Sequence, residues 1–193
     1  MNCNFIQIEK YECLSILKCM RLKDILMVID NIKSKYNIRI DKKCNITKEE
    51  FYEINNSNRI TIGAHTMNHQ VLSNETDEDA EKEIRESVEE LSKMLDRDIK
   101  YFAYPNGTTG LDYGRRDQLI LQENKIRLAF TADTGFYSKK TNPLSIPRGG
   151  FEGVKRGNNA WILGKLFLVP IWDKTRRDTE ARDRKEIKDL AIV

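Results

Sequence analysis

The sequence lacks the features that mark several large classes of protein. It has no run of about eighteen apolar residues, the length that a membrane-spanning helix requires. Its first residues, Met1 to Tyr11, lack the basic start and apolar stretch of a signal peptide. The net charge is only +3, from 33 basic and 30 acidic residues, so no broad positive field attracts nucleic acid. We therefore expect a soluble, cytoplasmic protein that does not bind nucleic acid.

The cysteines lack a pairing pattern. All four lie in the first quarter of the chain, and none forms the Cys-x-x-Cys spacing of a structural zinc site or a redox pair: Cys3, Cys13, Cys19 and Cys44. We expect free thiols in a reducing compartment, with a disulfide as the alternative.

What the sequence does contain is an alternation of helix and strand patterns. Apolar residues recur every three or four positions from Leu22 to Tyr36, which predicts an amphipathic packing helix. Capping signatures at Thr47 and Thr76 predict the start of two more helices, and Leu119 to Gln122 indicates another. Short apolar segments predict strands at Arg59 to Gly63, Tyr101 to Tyr104 and Leu128 to Ala132. This alternation is typical of an α/β domain with a parallel sheet.

The composition changes towards the C-terminus. An apolar segment, Trp161 to Trp172, is interrupted by Lys165 and Pro170; packing against the domain is favoured over anchoring at a membrane surface. Acidic and basic residues are mixed from Asp173 to Asp189, which predicts a solvated helix or a frayed tail.

The two histidines of the chain, His65 and His69, are the first candidates for chemistry. They follow a predicted strand, and α/β domains collect active-site residues at strand ends. Two imidazoles four residues apart on a helical turn can share one metal ion. Spacing alone leaves open the alternative of hydrogen-bonded histidines at the edge of the core. Because a catalytic zinc needs three protein ligands, a third must come from elsewhere.

Further short motifs accompany the two histidines along the chain. Ile62 to His69 and Val71-Leu72-Ser73 are followed by Glu83 to Ser87, Phe102 to Gly107, Ala129 to Ala132 and Ile146 to Arg148. Together they resemble the polysaccharide deacetylases, the NodB-homology group or carbohydrate esterase family four. The resemblance covers approximately residues 47 to 150.

The resemblance implies an incomplete, distorted (β/α) barrel of the polysaccharide-deacetylase type. Residues 1–46 are similar to a helical insertion that some members carry. Residues 47–155 are similar to part of the deacetylase domain, and residues 156–193 add an apolar segment and a charged helical tail. An incomplete barrel exposes strand edges, so we expect low stability or self-association.

The implied activity is a hydrolase that removes acetyl groups from a polysaccharide or amino sugar, at a carbon–nitrogen bond that is not a peptide bond. His65 and His69 would bind a divalent metal, by preference zinc. In the family an early Thr-Phe-Asp-Asp segment supplies a metal-binding aspartate and the general base, and this chain has no such segment. We therefore expect impaired catalysis; the alternative is a non-catalytic truncated remnant or a sugar- or metal-binding module.

The resemblance also implies roles for residues in two of the later segments. Tyr104 and Pro105 would bind the substrate, and the backbone N–H of Asn106 would stabilise an oxyanion, with a plain turn as the alternative. Ala103 stands where many members have an arginine. Arg148 would supply a substitute guanidinium, or it is a surface arginine.

Two further family positions bear on the site. Asp133 occupies the place of an aspartate that supports the site, with a strand-end cap as the alternative. The late histidine that acts as a general acid in many members has no counterpart here.

Overall fold

The computed structural model describes residues 10–39, 45–57, 59–148 and the backbone of 159–191, with side chains of that last segment described from 174 to 190. The elements are α1 (Cys13–Leu17), α2 (Leu22–Tyr36), α3 (Lys48–Asn55), a 3-10 turn (Leu72–Asn74), α4 (Asp77–Leu95), β1 (Tyr101–Ala103), α5 (Arg115–Glu123), β2 (Leu128–Phe130) and α6 (Asn159–Ala191). None of the described helices is long and apolar enough to cross a membrane.

The sheet is parallel, as predicted, and follows the order of the chain. β1 pairs with β2, with Phe102 opposite Ala129. A single bridge joins Ala64 to β1 on one side, and another joins Ile146 to β2 on the other side. Four consecutive segments therefore form an open arc of a (β/α) barrel. This arc confirms the predicted incomplete α/β fold.

The predicted strand from Arg59 to Gly63 is wrong. Only the next residue, Ala64, pairs with β1. Its N–H donates to the carbonyl of Tyr101, and its carbonyl accepts from the N–H of Ala103. Ile62 packs against the core while Ile60 is exposed, so the alternating pattern reflects the packing of one side chain rather than a hydrogen-bonded ladder.

Side chains of β1 and β2 alternate between two faces of the sheet. Phe102 and Ala129 are buried on the outer face, in one cluster with Ile84 of α4 and Leu121 of α5. The inner face is open, and Ala103 lies there only partly buried. The inner face of the arc is therefore left as a cleft beside the strand ends.

Helix α2 forms where the periodicity predicts, but its predicted packing is wrong. No residue of α2 is buried, and Leu26 is 50% exposed. The helix is attached at its start, where the N–H of Leu22 donates to Glu75 and Arg21 pairs with Glu75 and Asp79. Periodicity defines an apolar face but not whether another element covers it.

The charged C-terminal segment is neither a frayed tail nor fully solvated. It is the second half of α6, and it docks on the domain through Ile187, which is 2% exposed, and through Arg184. Arg184 pairs with Asp112 at 2.8 Å and with Glu180 at 2.6 Å. The pair between Arg184 and Asp112 joins distant parts of the chain, and the mixed charge of the sequence does not reveal it.

Two predictions fall partly or wholly outside the described residues. Cys13 and Cys19 are free thiols, as expected, while Cys3 and Cys44 lie outside the described residues. The side chains of residues 161–172 also lie outside them, so the packing of that apolar segment stays a prediction.

Candidate metal centre and active site

Four of the predicted site residues follow neighbouring segments of the parallel sheet. Carboxyl ends of parallel strands meet at one edge of a sheet. His65 follows the bridge residue Ala64, Asn106 follows β1, Asp133 follows β2, and Arg148 follows the bridge at Ile146. Four segments far apart in sequence thus deliver polar groups to one edge.

His65 is held in one tautomer. Its Nδ1 lies 2.6 Å from the carbonyl oxygen of Ala103, and because a carbonyl can only accept, Nδ1 carries the proton. Nε2 of the neutral ring then keeps its lone pair, the form in which histidine binds a metal.

The surroundings of His65 favour the neutral ring. Desolvation lowers its pKa below the ordinary value, and the charges of His69 and Arg148 act in the same direction. The hydrogen bond to the Ala103 carbonyl opposes them, and the net shift of the pKa is downward. Arg148 therefore contributes, as the smallest of these causes, to the lowered pKa of His65.

His69 is brought to His65 by a loop, not by the helical turn that the spacing suggested. The two ring centroids are 4.8 Å apart with the planes at 74°. Residues 65–70 form neither helix nor strand, and Thr66 and His69 have positive φ angles of 61° and 56°. The proximity of the rings therefore depends on this loop's conformation.

Glu83 lies beside the two histidines, although the sequence alone had not indicated a role for it. Its carboxylate accepts hydrogen bonds from the backbone N–H groups of Met67 and Asn68, between the two histidines. A signal was available, because Glu83 opens one of the segments that resemble the family.

The turn after β1 is compact and buried on its inner side. The ring of Tyr104 stacks on Tyr113 at 3.5 Å, and its hydroxyl donates to the carbonyl of Leu144 at 2.8 Å. Tyr104 is 1% exposed and Pro105 is also fully buried. A substrate contact by these two side chains, as predicted, would require them to leave the core; here they hold the turn in place.

Asn106 has the geometry of an available backbone donor. Its φ is 57°, and within the described part of the chain its N–H has no hydrogen-bond acceptor. Gly107 follows with φ 83°, and its N–H bonds to the Pro105 carbonyl at 2.6 Å.

Arg148 and Asp133 have distinct surroundings. Arg148 is exposed, and its Nε donates to the carbonyl of Thr131 at 2.6 Å. The carboxylate of Asp133 accepts from the N–H and the hydroxyl of Thr109 and pairs with Arg177 of α6 at 3.5 Å. Asp133 therefore holds the turn around Thr109 rather than capping its own strand.

A cleft of about 410 Å³ lies beside His65 on the open inner face. It is lined by Thr61, Gly63, Ala64, His65, Tyr101, Phe102, Ala103 and Phe130. Two imidazoles with one fixed tautomer fit part of a divalent metal site. Among the residues that the structure describes, no third His, Cys, Asp or Glu joins them to complete one.

Comparison with known proteins decides the family. The family model "Polysaccharide deacetylase" matches residues 11–125, more than half of the chain. The chain belongs to the polysaccharide deacetylase family. The match includes helices α1 to α3, and it ends before the family-like segments at β2 and Arg148.

One solved deacetylase structure resembles this family member in fold over about half of the chain. The Streptococcus pyogenes deacetylase PplD, solved in complex with acetate, is 24% identical with a TM-score of 0.51, covering 56% of this chain and 46% of that one. The deacetylase domain of BpsB from Bordetella bronchiseptica is 14% identical with a TM-score of 0.34, covering 38% and 26%. The chain thus spans about half the length of PplD. No curated protein sequence matches the chain.

Proposed function

We propose that this chain is a metal-dependent hydrolase that removes acetyl groups from an acetylated polysaccharide or amino sugar. The observation that carries the proposal is the imidazole pair, with His65 in a single tautomer at a cleft formed by strand ends. Membership of the polysaccharide deacetylase family supports the reaction class.

His65 and His69 are the residues that would hold a divalent ion, and zinc is one of the ions that imidazole ligands suit. The hydrogen bond from His65 to the Ala103 carbonyl is the outer contact that metal-binding histidines commonly make. A bound ion supplies Lewis acidity towards an acyl carbonyl. The remaining steps belong to the chain's own groups.

Two groups at the same sheet edge suit the carbonyl of an acetyl group. The N–H of Asn106, which has no acceptor in the described part of the chain, would stabilise negative charge as it develops on the oxygen. The guanidinium of Arg148, whose Nε is already held by Thr131, would add a positive charge near the same place. The cleft volume lies within the range typical of small-molecule sites.

In this proposal catalysis is impaired because the chain has no Thr-Phe-Asp-Asp segment. Among the described residues, no third ligand joins the two histidines. Asp133 is already engaged by Thr109 and Arg177, so it is not a free general base. This observation favours a second function for the polypeptide by itself, a sugar- or metal-binding module.

Two measurements on the purified chain test the proposal. Calorimetric titration with zinc should give one site that His65→Ala and His69→Ala each abolish, while Tyr36→Ala, which removes an exposed ring on α2, leaves binding intact. Absence of zinc binding in a folded wild-type chain would refute the metal site.

Acetate release from an acetylated chito-oligosaccharide in the presence of zinc separates the two functions. Release that His65→Ala abolishes would establish an active hydrolase. Binding of the oligosaccharide without release would establish the module instead.

A further inference from the structure

The loop that carries the two histidines is not self-supporting. Residues 66–69 form no regular structure, and Thr66 and His69 both have left-handed backbone conformations. Residues other than glycine adopt this conformation at a cost in free energy, so it persists where surrounding groups impose it. Within the loop, the N–H of His69 donates to the Thr66 hydroxyl at 3.0 Å.

One side chain outside the loop binds its centre. Oε2 of Glu83 accepts hydrogen bonds from the backbone N–H of Met67 at 3.0 Å and of Asn68 at 2.9 Å. Oε1 accepts from the side-chain amide of Asn68 at 2.6 Å. Both oxygens of one carboxylate are thus committed to the two residues between the histidines.

Glu83 belongs to a helix that packs against the core. It lies on α4, whose first turn is capped by Thr76, and the adjacent Ile84 is fully buried. Hydrogen bonds to an ionised carboxylate are about twice as strong as neutral ones. The loop is therefore anchored to a rigid helix through three charge-assisted bonds.

We propose that Glu83 is a positioning residue that sets the conformation of residues 66–69 and so brings the imidazoles of His65 and His69 together for a divalent cation. This inference rests on the proposed metal site. Glu83 does not act as a ligand, since its two oxygens face N–H donors, and in the described part of the chain no cluster of three candidate ligands includes it.

Amide hydrogen exchange tests the positioning role without a metal. Glu83→Ala should accelerate exchange of the Met67 and Asn68 amides at least about tenfold while the buried amides of α4 stay protected. Glu83→Gln retains one acceptor oxygen and should fall between Glu83→Ala and the wild type. The control is Glu89→Ala, which removes the same charge from the same helix and breaks a 3.4 Å pair with Arg85.

Zinc titration of the same three variants tests the consequence. Glu83 contacts the residues between the two ligands rather than a ligand itself, so we expect Glu83→Ala to weaken zinc binding by about tenfold, the lower end of the loss seen when an outer contact of a ligand is removed. Glu89→Ala should leave the affinity unchanged. Unchanged exchange at Met67 and Asn68 would overturn the proposal, and so would faster exchange with unchanged zinc affinity. A folded wild-type chain that binds no zinc would refute the metal site of the proposed function, while the exchange data would still decide whether Glu83 holds the loop.

Discussion

At the scale of single residues, the site depends on backbone conformations that few side chains tolerate. Asn106 and Gly107 both have positive φ angles in the turn that presents the Asn106 N–H. A Cβ atom on Gly107 would lie 2.8 Å from the backbone nitrogen of Ala132. Glycine at this position is therefore required both by the left-handed φ and by the close approach of the neighbouring chain.

Gly107→Ala should lower the free energy of unfolding by roughly 2–4 kcal/mol, measured by urea denaturation. The backbone strain of alanine at a positive φ and the overlap of its Cβ with Ala132 both contribute to this loss. Gly110→Ala is the matched control. Gly110 has nearly the same φ, 80°, but among the described residues no atom lies within 4 Å of the place that its Cβ would take. It should lose only roughly 1 kcal/mol, and equal losses for the two variants would show that the overlap with Ala132 costs nothing.

At the scale of elements, two helices with similar apolar periodicity have opposite surroundings. Ile84 of α4 is 0% exposed in the core, whereas Ile29 of α2 is 39% exposed. Burial of an aliphatic side chain stabilises a protein only to the extent that water is removed from it. The two helices therefore contribute differently to stability although their sequences look alike.

Ile84→Ala should lower the free energy of unfolding by roughly 2–5 kcal/mol, since it leaves a cavity in the core. Ile29→Ala should lower it by less than about 1 kcal/mol. Thermal and urea denaturation of both variants provide the measurement. A large loss for Ile29→Ala would mean that α2 is covered in solution, and the oligomeric state would then have to be determined.

At the scale of the whole molecule, α6 joins residues that lie far apart in the chain. Arg184 and Asp112 form an ion pair that is almost fully buried, and Glu180 extends it to Lys18 of the N-terminal region. Removing one partner of such a pair leaves an uncompensated buried charge, which is costly.

Arg184→Ala should therefore lower the free energy of unfolding by about 3–5 kcal/mol, measured by urea denaturation. Arg182→Ala, in the same part of α6, removes a side chain that is 67% exposed and pairs with its neighbour Asp183. That control should change stability by less than about 0.5 kcal/mol. Similar small effects for both variants would show that the C-terminal half of α6 does not dock in solution.

The open arc of strands leads to a second expectation for the whole molecule. Its inner face exposes part of Ala103 and Phe130, and within the described residues its edges are single bridges, which leave backbone groups open to pairing. We expect the chain to self-associate at micromolar concentration, as measured by sedimentation velocity. A monomer that unfolds in one cooperative transition would contradict this.

Much of the candidate site was predictable from local sequence. The pair His65 and His69, the turn at Asn106 and the segment ending at Arg148 could be found because they occur in the order of the family's motifs. The third ligand could not be found, and the described part of the structure does not supply one either. The roles assigned to these residues stay predictions until metal binding and acetate release are measured.

The sequence by itself determined helices α2 to α5, two of the three predicted strands and the family, because periodicity, capping residues and short motifs are local properties. Only the tertiary structure decided that α2 is exposed and α6 docked, that His65 is held by Ala103, and that Glu83 reaches the histidine loop. The physical reason is that burial and hydrogen bonding between distant residues depend on which surfaces meet after folding, and local patterns do not specify that partner.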